Sequence, residues 1–178
     1  MSFNMESLIY SGHLIEQGQW WRLFTGHFVH LNAYHLLINL AGLACILMIN
    51  RSFILGTQGV LTTCFLCLWV SAGLWLLNPD LAGYAGFSGV SHGLFIVAVT
   101  RQSLFPTGWK ALLILTCVVK VVAEQIDLYS TSSLAMNIGG KVMVDAHFYG
   151  LVGGCVVSTF YLVKTPCPKK GGTGSSGK

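Results

Sequence analysis

The sequence predicts an all-α polytopic membrane protein, and three observations support this fold class. Apolar residues make up 53% of the 178 residues and charged residues only 9%, against roughly 25% charged residues in soluble proteins. The mean hydropathy is +0.66. Several apolar runs reach the length of about 20 residues that a helix needs to cross a bilayer. A bundle of transmembrane helices is therefore expected, since no run shows the alternation typical of a membrane β-barrel.

Five apolar runs are predicted to form the transmembrane helices. In chain order they are Leu31–Ile49, Gly59–Leu77, Gly83–Thr100, Trp109 to about Leu128, and Ala146–Val163. The first, second and last contain no charged residue. The fourth contains Lys120 and Glu124, which lie one helical turn apart and could neutralise one another, either as a structural pair or as a gate.

The positions of lysine and arginine predict the orientation. Arg51 follows the first predicted helix, Arg101 follows the third, and Lys110 lies at the start of the fourth. Lys164, Lys169 and Lys170 follow the fifth. Because basic residues in short loops mark the cytoplasmic side, these ends are predicted to be cytoplasmic. Lys141 is the residue that opposes this assignment.

This topology divides the chain into three predicted parts. Residues 1–30 form a periplasmic segment and loop, residues 31–163 form the transmembrane core, and residues 164–178 form a polar cytoplasmic tail. With five helices and a cytoplasmic C-terminus, the N-terminus must lie outside. Residues 1–30 contain no apolar signal region, so either an earlier helix is missing or insertion proceeds without one.

Polar side chains within the apolar runs mark candidate sites, because polar groups are costly at membrane depth. The stretch from Thr25 to Leu43 contains His27, His30, His35 and Asn39. His35 and Asn39 are four residues apart and therefore share one helix face. Three histidines could also be metal ligands, but neither a carboxylate partner nor an H-E-x-x-H motif accompanies them, so neither a metal nor a cofactor is expected.

Two further stretches combine polar residues with closely spaced glycines. "GFSGVSHG" at 86–93 contains Ser88, Gly89 and Gly93, and "DAHFYGLVGG" at 145–154 contains His147 followed by Gly150 and Gly154. Glycines four residues apart let helices approach closely, so the Ser88 helix is expected to pack on the His147 helix. This would pair a nucleophile with a base. Taken alone, the same residues could be a backbone-bonded serine and a buried structural histidine.

Four motifs together are more specific than their parts. Trp21-Arg22 is followed by H-x-x-H-x-x-x-x-H-x-x-x-N ending at Asn39, by G-x-S-G at 86–89, and by A-H-x-x-G-x-x-x-G at 146–154. From Trp21 to about Val163 the chain resembles the rhomboid intramembrane serine proteases. The sequence "SGVSHGL" that begins at Ser88 is most similar to the rhombosortase branch.

The resemblance implies a site within a rhomboid-like helical bundle. Ser88 would be the nucleophile and His147 the general base, forming a dyad without an acidic third member, since Asp145 lies on another helix face. The oxyanion would be bound by the Ser88 backbone N–H and the side chains of His35 and Asn39. The supporting residues would be His30, Gly86, Gly89, His92, Gly150 and Gly154.

Two features differ from the usual pattern of that family. Rhomboids commonly have six transmembrane helices, and the first of the six is missing among the five predicted here. His92 stands where the family commonly has a tyrosine that stacks on the catalytic imidazole. His92 could stack on His147, form a hydrogen bond with it, or compete with it as the base.

The resemblance also implies a setting and a substrate. The protein is expected in a bacterial inner membrane, with a short serine helix that begins after Gly83–Gly86 and an active site open to the periplasm. Its partners would be the bilayer and membrane-anchored proteins with a C-terminal Gly-Gly sorting tail, not nucleic acid. The alternative is an inactive relative that binds transmembrane helices.

Overall fold

A computed structural model describes residues 5–164, and within this range the secondary structure is helical apart from one isolated bridge between Tyr10 and Tyr84. A 3-10 turn at Met5–Ser7 precedes the α-helices. These are α1 (Gly12–Glu16), α2 (Arg22–Thr25), α3 (Ala33–Ile54), α4 (Thr57–Leu77), α5 (Ser88–Arg101), α6 (Thr107–Gln125), α7 (Ser132–Ile138) and α8 (Val144–Lys164). The predicted cytoplasmic tail from residue 165 onward lies outside the described residues.

The predicted all-α membrane bundle is confirmed. Not every predicted transmembrane helix is long and apolar enough to cross a membrane. Among the described residues, three helices are long and apolar enough to cross a membrane, namely Ala33–Ile54, Thr57–Leu77 and Val144–Val163. Helix α5 has only 14 residues, which gives about 21 Å of helix against a hydrocarbon core of about 30 Å. Helix α6 has 19 residues and includes three charged side chains, which lower its hydropathy.

Helix α5 occupies the centre of the bundle and packs against α3, α4, α6 and α8. Most of its apolar residues are buried, among them Val90, Leu94 and Val97. The long helices instead expose large apolar side chains such as Leu37 and Leu61. An apolar outer surface is the one that contacts lipid, so the short central helix is shielded by the longer ones.

Two segments for which the sequence predicted loops carry more structure than expected. The predicted loop Tyr129–Lys141 contains α7, whose seven residues show no apolar period that would reveal a helix. Residues 1–30 contain α1 and α2. Arg22 is buried and donates to the backbone carbonyl groups of Glu6 and Ile9, which fixes the N-terminal segment against α2.

Candidate active site

Ser88 is the first residue of α5, at the end of an irregular loop. The expected short serine helix is observed, and the glycine-rich residues before it are not helical. Gly86 has φ of +121°, a conformation that favours glycine, and an added Cβ there would lie 2.7 Å from His35 Nε2. Glycine at this position therefore lets the His35 ring approach the backbone beside the serine.

The loop before Ser88 is held by the N-terminal segment. Tyr10 and Tyr84 exchange both backbone hydrogen bonds, at 3.0 and 3.1 Å, and the Gly86 N–H donates to the Gly26 carbonyl at 3.0 Å. The Tyr84 hydroxyl donates to the Gly86 carbonyl at 2.7 Å. Burial, and then the charge of Glu16, raises the pKa of Tyr10 to about 12, so its phenol stays neutral against the Tyr84 ring.

Close contact between α5 and α8 brings Ser88 to His147. An added Cβ on Gly150 would lie 1.8 Å from the Gly89 carbonyl oxygen, and one on Gly154 would lie 2.6 Å from the Gly93 carbonyl oxygen. The two backbones therefore touch where the glycine spacing predicted contact. At this crossing the Ser88 Oγ lies 2.9 Å from His147 Nε2, within hydrogen-bond distance.

The acidic partner of His147 is Glu124, which was not predicted from the sequence. Glu124 Oε2 lies 2.9 Å from His147 Nδ1, and both side chains are buried. The prediction that no acidic residue contacts His147 is therefore wrong. The reason is that α6 packs on α8 and presents Glu124 to the imidazole. Asp145 points elsewhere, as expected, and accepts from Asn78 Nδ2 at 2.8 Å.

The rings of His92 and His147 are stacked, with centroids 4.3 Å apart and planes at 25°. This is the first of the three arrangements considered for His92. Its ring nitrogens contact other partners, since Nδ1 lies 2.7 Å from the Ser88 carbonyl oxygen and Nε2 lies 2.8 Å from Lys120 Nζ. Lys120 also forms the expected ion pair with Glu124, at 2.8 Å.

The ligand atoms of His92, Glu124 and His147 lie within 4.8 Å of one another, which is close enough to hold a metal ion. The same atoms already have protein partners. The Lys120 ammonium lies beside His92 Nε2 and Glu124 Oε1 and supplies a positive charge there. The other Glu124 oxygen is bound to His147. A metal would have to displace these contacts, and the absence of a metal stays a prediction.

The predicted oxyanion residues His35 and Asn39 line one cavity with Ser88 and His147, with a volume of about 340 Å³. His35 Nδ1 accepts from the Leu31 N–H at 3.4 Å, so the neutral ring carries its proton on Nε2, the atom beside Gly86. The Asn39 amide donates one of its two N–H groups to the His35 carbonyl at 2.9 Å.

The remaining residues of the first histidine motif lie outside this cavity. His30 packs edge-on against His35, with ring centroids 5.0 Å apart. His27 is buried beneath α2, with Nε2 at 2.9 Å from both the Cys67 carbonyl oxygen and the Ser71 hydroxyl. The motif thus contributes two cavity residues, His35 and Asn39, while His30 and His27 support the surrounding structure.

Tyr129 also lines the cavity and was not predicted as a site residue. It follows α6, and burial, together with the nearby Glu124 carboxylate, raises the pKa of its phenol. The sequence does carry one signal for Glu124 and Lys120, because charged residues inside an apolar run need a partner. Their helical spacing suggested that they partner each other, and it gave no indication of the second contact that each makes.

Residues 17–164 of the chain match a protein family described as the rhomboid domain. The match includes Ser88, His147, His35 and Asn39, and all the described α-helices except α1. Among curated proteins, no sequence matches the chain significantly.

Proposed function

Since the chain belongs to the rhomboid family, whose members are usually intramembrane serine proteases, we propose that it hydrolyses peptide bonds of membrane-anchored proteins. Ser88 is the nucleophile and His147 the general base. The observation that carries this proposal is the 2.9 Å contact between Ser88 Oγ and His147 Nε2. A hydroxyl bonded to an imidazole inside a helical membrane bundle is the arrangement that activates serine for attack.

The proposed reaction has two halves. In the first, Ser88 Oγ forms a bond to the substrate carbonyl carbon while its proton passes to His147 Nε2 and an electron pair moves onto the carbonyl oxygen. When that pair returns, the C–N bond breaks and the leaving amine takes the proton from Nε2. In the second half, water attacks the acyl-enzyme in the same way and releases the carboxylic acid and Ser88.

The oxyanion is proposed to be bound by the Ser88 backbone N–H, His35 and Asn39. Two contacts support this proposal. His35 carries its Nε2 proton beside the loop that ends at Ser88, and the second N–H of the Asn39 amide is not used on the His35 carbonyl. Donors fixed where negative charge develops stabilise the transition state more than the ground state.

Replacing Asn39 with alanine is expected to lower kcat by about 10²–10³-fold, as the loss of one oxyanion donor typically does. Thr159→Ala is the matched control, because Thr159 also bonds to a carbonyl one turn earlier in its own helix but lies far along α8. The measurement is kcat on a cleavable membrane-anchored reporter. An Asn39→Ala rate within a factor of a few of wild type would remove Asn39 from the oxyanion site.

The substrate is proposed to be an exported protein with a C-terminal tail that contains a Gly-Gly motif, one transmembrane helix and a basic end. Support comes from the rhombosortase resemblance and from chain energetics. A helix must unwind to present a peptide bond to Ser88, and glycine disfavours helix by about 1 kcal/mol per residue. The proposed location is a bacterial inner membrane with the cavity open to the periplasm, supported by the distribution of basic residues.

The test is active-site labelling by a fluorophosphonate probe together with cleavage of a reporter that carries such a glycine tail. Wild type is expected to be labelled and to cut the reporter near its glycines, whereas Ser88→Ala is expected to do neither. Folded wild-type protein that is neither labelled nor active would instead favour the inactive helix-binding relative.

A second reporter tests the proposed substrate class independently of the proposed protease activity. It has leucines in place of the glycines and an otherwise identical tail, and it is expected to resist cleavage. Equal cleavage of both reporters would overturn the sorting-tail proposal and leave the protease proposal standing.

A further inference from the structure

We propose that Glu124 is a positioning residue that fixes the tautomer of His147, and that Lys120 in turn fixes Glu124. Both act through a closed ring of hydrogen bonds that begins and ends at Ser88. The catalytic role of this ring rests on the proposed serine-protease function. Its protonation pattern follows from the donors and acceptors alone.

The pattern is set by the Lys120 ammonium, which can only donate. His92 Nε2 must therefore accept from Lys120, at 2.8 Å, so the neutral His92 ring carries its proton on Nδ1. That proton is donated to the Ser88 carbonyl oxygen at 2.7 Å. With both ring nitrogens occupied in this way, His92 has no lone pair available to act as a base.

The other half of the closed ring of hydrogen bonds runs through Glu124. Its Oε1 accepts from Lys120 at 2.8 Å and its Oε2 lies 2.9 Å from His147 Nδ1. Because an ionised carboxylate only accepts, His147 Nδ1 carries a proton. The lone pair of His147 then lies on Nε2, which accepts from the Ser88 hydroxyl at 2.9 Å. This is the tautomer that general-base catalysis by His147 requires.

A carboxylate suits this position because Lys120 and His147 Nδ1 face its two different oxygens. Lys120 and His147 Nδ1 each require an oxygen, and a carboxylate supplies two. A glutamine has the same shape but one oxygen. If that oxygen accepts from Lys120, the amide N–H₂ faces His147 Nδ1, which must then accept and transfer its proton to Nε2. The imidazole is left in the tautomer that cannot take the Ser88 proton.

Burial of Glu124 and His147 limits the other hydrogen-bond partners that each could find. The Glu124 side chain is only 4% exposed and that of His147 only 7%, so water cannot easily replace either partner, whereas Lys120 is 41% exposed. Tyr129, His92 and Cys117 are further titratable residues close to the carboxylate, and the Tyr129 side chain lines the same cavity. The carboxylate thus faces the imidazole on its buried side and the ammonium on its more exposed side.

The first experiment compares Glu124→Gln with wild type. We expect kcat to fall by about 10²–10⁴-fold with little change in KM, since the wrong histidine tautomer has a cost of this size in serine hydrolysis. In protein labelled with ¹⁵N-histidine, the His147 signals are expected to change from the Nδ1–H to the Nε2–H pattern. The His147 signals are assigned by their loss in His147→Ala.

The second experiment removes the competing donor. In the double variant Lys120→Met with Glu124→Gln, the single amide oxygen is free to face His147. We expect the Nδ1–H tautomer to return and kcat to rise by about tenfold or more above Glu124→Gln, a non-additive effect typical of directly coupled residues. Under the alternative that Glu124 only neutralises Lys120, the double variant would regain stability but its His147 would stay in the Nε2–H tautomer. That result would contradict the proposal.

Asp145→Asn is the matched control, because it removes a carboxylate two residues from His147 that bonds to Asn78 instead. Its kcat is expected to stay within a factor of a few of wild type. The proposal is overturned if wild-type His147 shows the Nε2–H tautomer, or if Glu124→Gln keeps nearly full kcat while Ser88→Ala is inactive. Wild type without activity refutes the proposed function, and the NMR spectrum still decides the tautomer.

Discussion

Replacing His147 with alanine is expected to abolish cleavage, with a loss of about 10⁴-fold or more, while His92→Tyr keeps measurable activity. His147 Nε2 is the ring nitrogen that lies against the Ser88 hydroxyl, so its loss removes the imidazole that is proposed to take the Ser88 proton. His92 contributes a stacked ring, and a tyrosine ring can replace that contact. The measurement is initial rate on the glycine-tail reporter.

His13→Ala is the control for histidine loss, since His13 is an exposed residue of α1 that bonds to Gln17. It should cut at the wild-type rate. The opposite order for the two site variants, with His92→Tyr inactive and His147→Ala active, would make His92 the base and contradict the protonation pattern of the ring.

Gly150→Val is expected to be strongly destabilising, by about 3 kcal/mol or more, at the upper end of typical overpacking effects. The Gly89 carbonyl oxygen occupies the position of the new side chain, 1.8 Å from an ideal Cβ. Because this atom belongs to the backbone of α5, relief requires the two helices to separate. The midpoint of thermal unfolding in detergent is expected to fall sharply, and fluorophosphonate labelling with it.

Gly108→Ala provides the comparison, because nothing lies within 4 Å of an added Cβ there and α6 should gain from the better helix former. Its unfolding midpoint is expected to be unchanged or slightly higher. A Gly150→Val protein as stable as wild type would show that α5 and α8 do not contact each other through their backbones.

Much of the site could be predicted because its cues are local in the sequence. The four-residue glycine spacing identified the α5–α8 contact, and that contact pairs Ser88 with His147. The glycines at 83 and 86 indicated that the serine helix starts late. Such features depend on residues within one turn or one loop, so a single sequence carries them.

The acidic partner could not be predicted because its contact depends on how α6 is rotated against α8. The spacing of Lys120 and Glu124 fixes only their contact with each other. Long-range packing decides which helix the second Glu124 oxygen faces. Hydrophobic periodicity along the sequence does not determine this packing. Helix α7 was not predicted for a similar reason, since it packs against α3 and the Asn32 side chain just before α3 donates to the Asn137 carbonyl.

The pairing of Tyr10 with Tyr84 links the order of the nucleophile loop to that of a segment more than seventy residues earlier. Both amide protons are held in the same pair of hydrogen bonds, so neither can exchange with solvent unless that pair opens. We therefore expect the N-terminal segment and the residues before Ser88 to open together in hydrogen exchange. Detachment of the N-terminal segment would release the loop before Ser88 while Ser88, Glu124 and His147 stay on their helices. The order of the candidate site therefore depends on the folding equilibrium of a segment outside α5, α6 and α8.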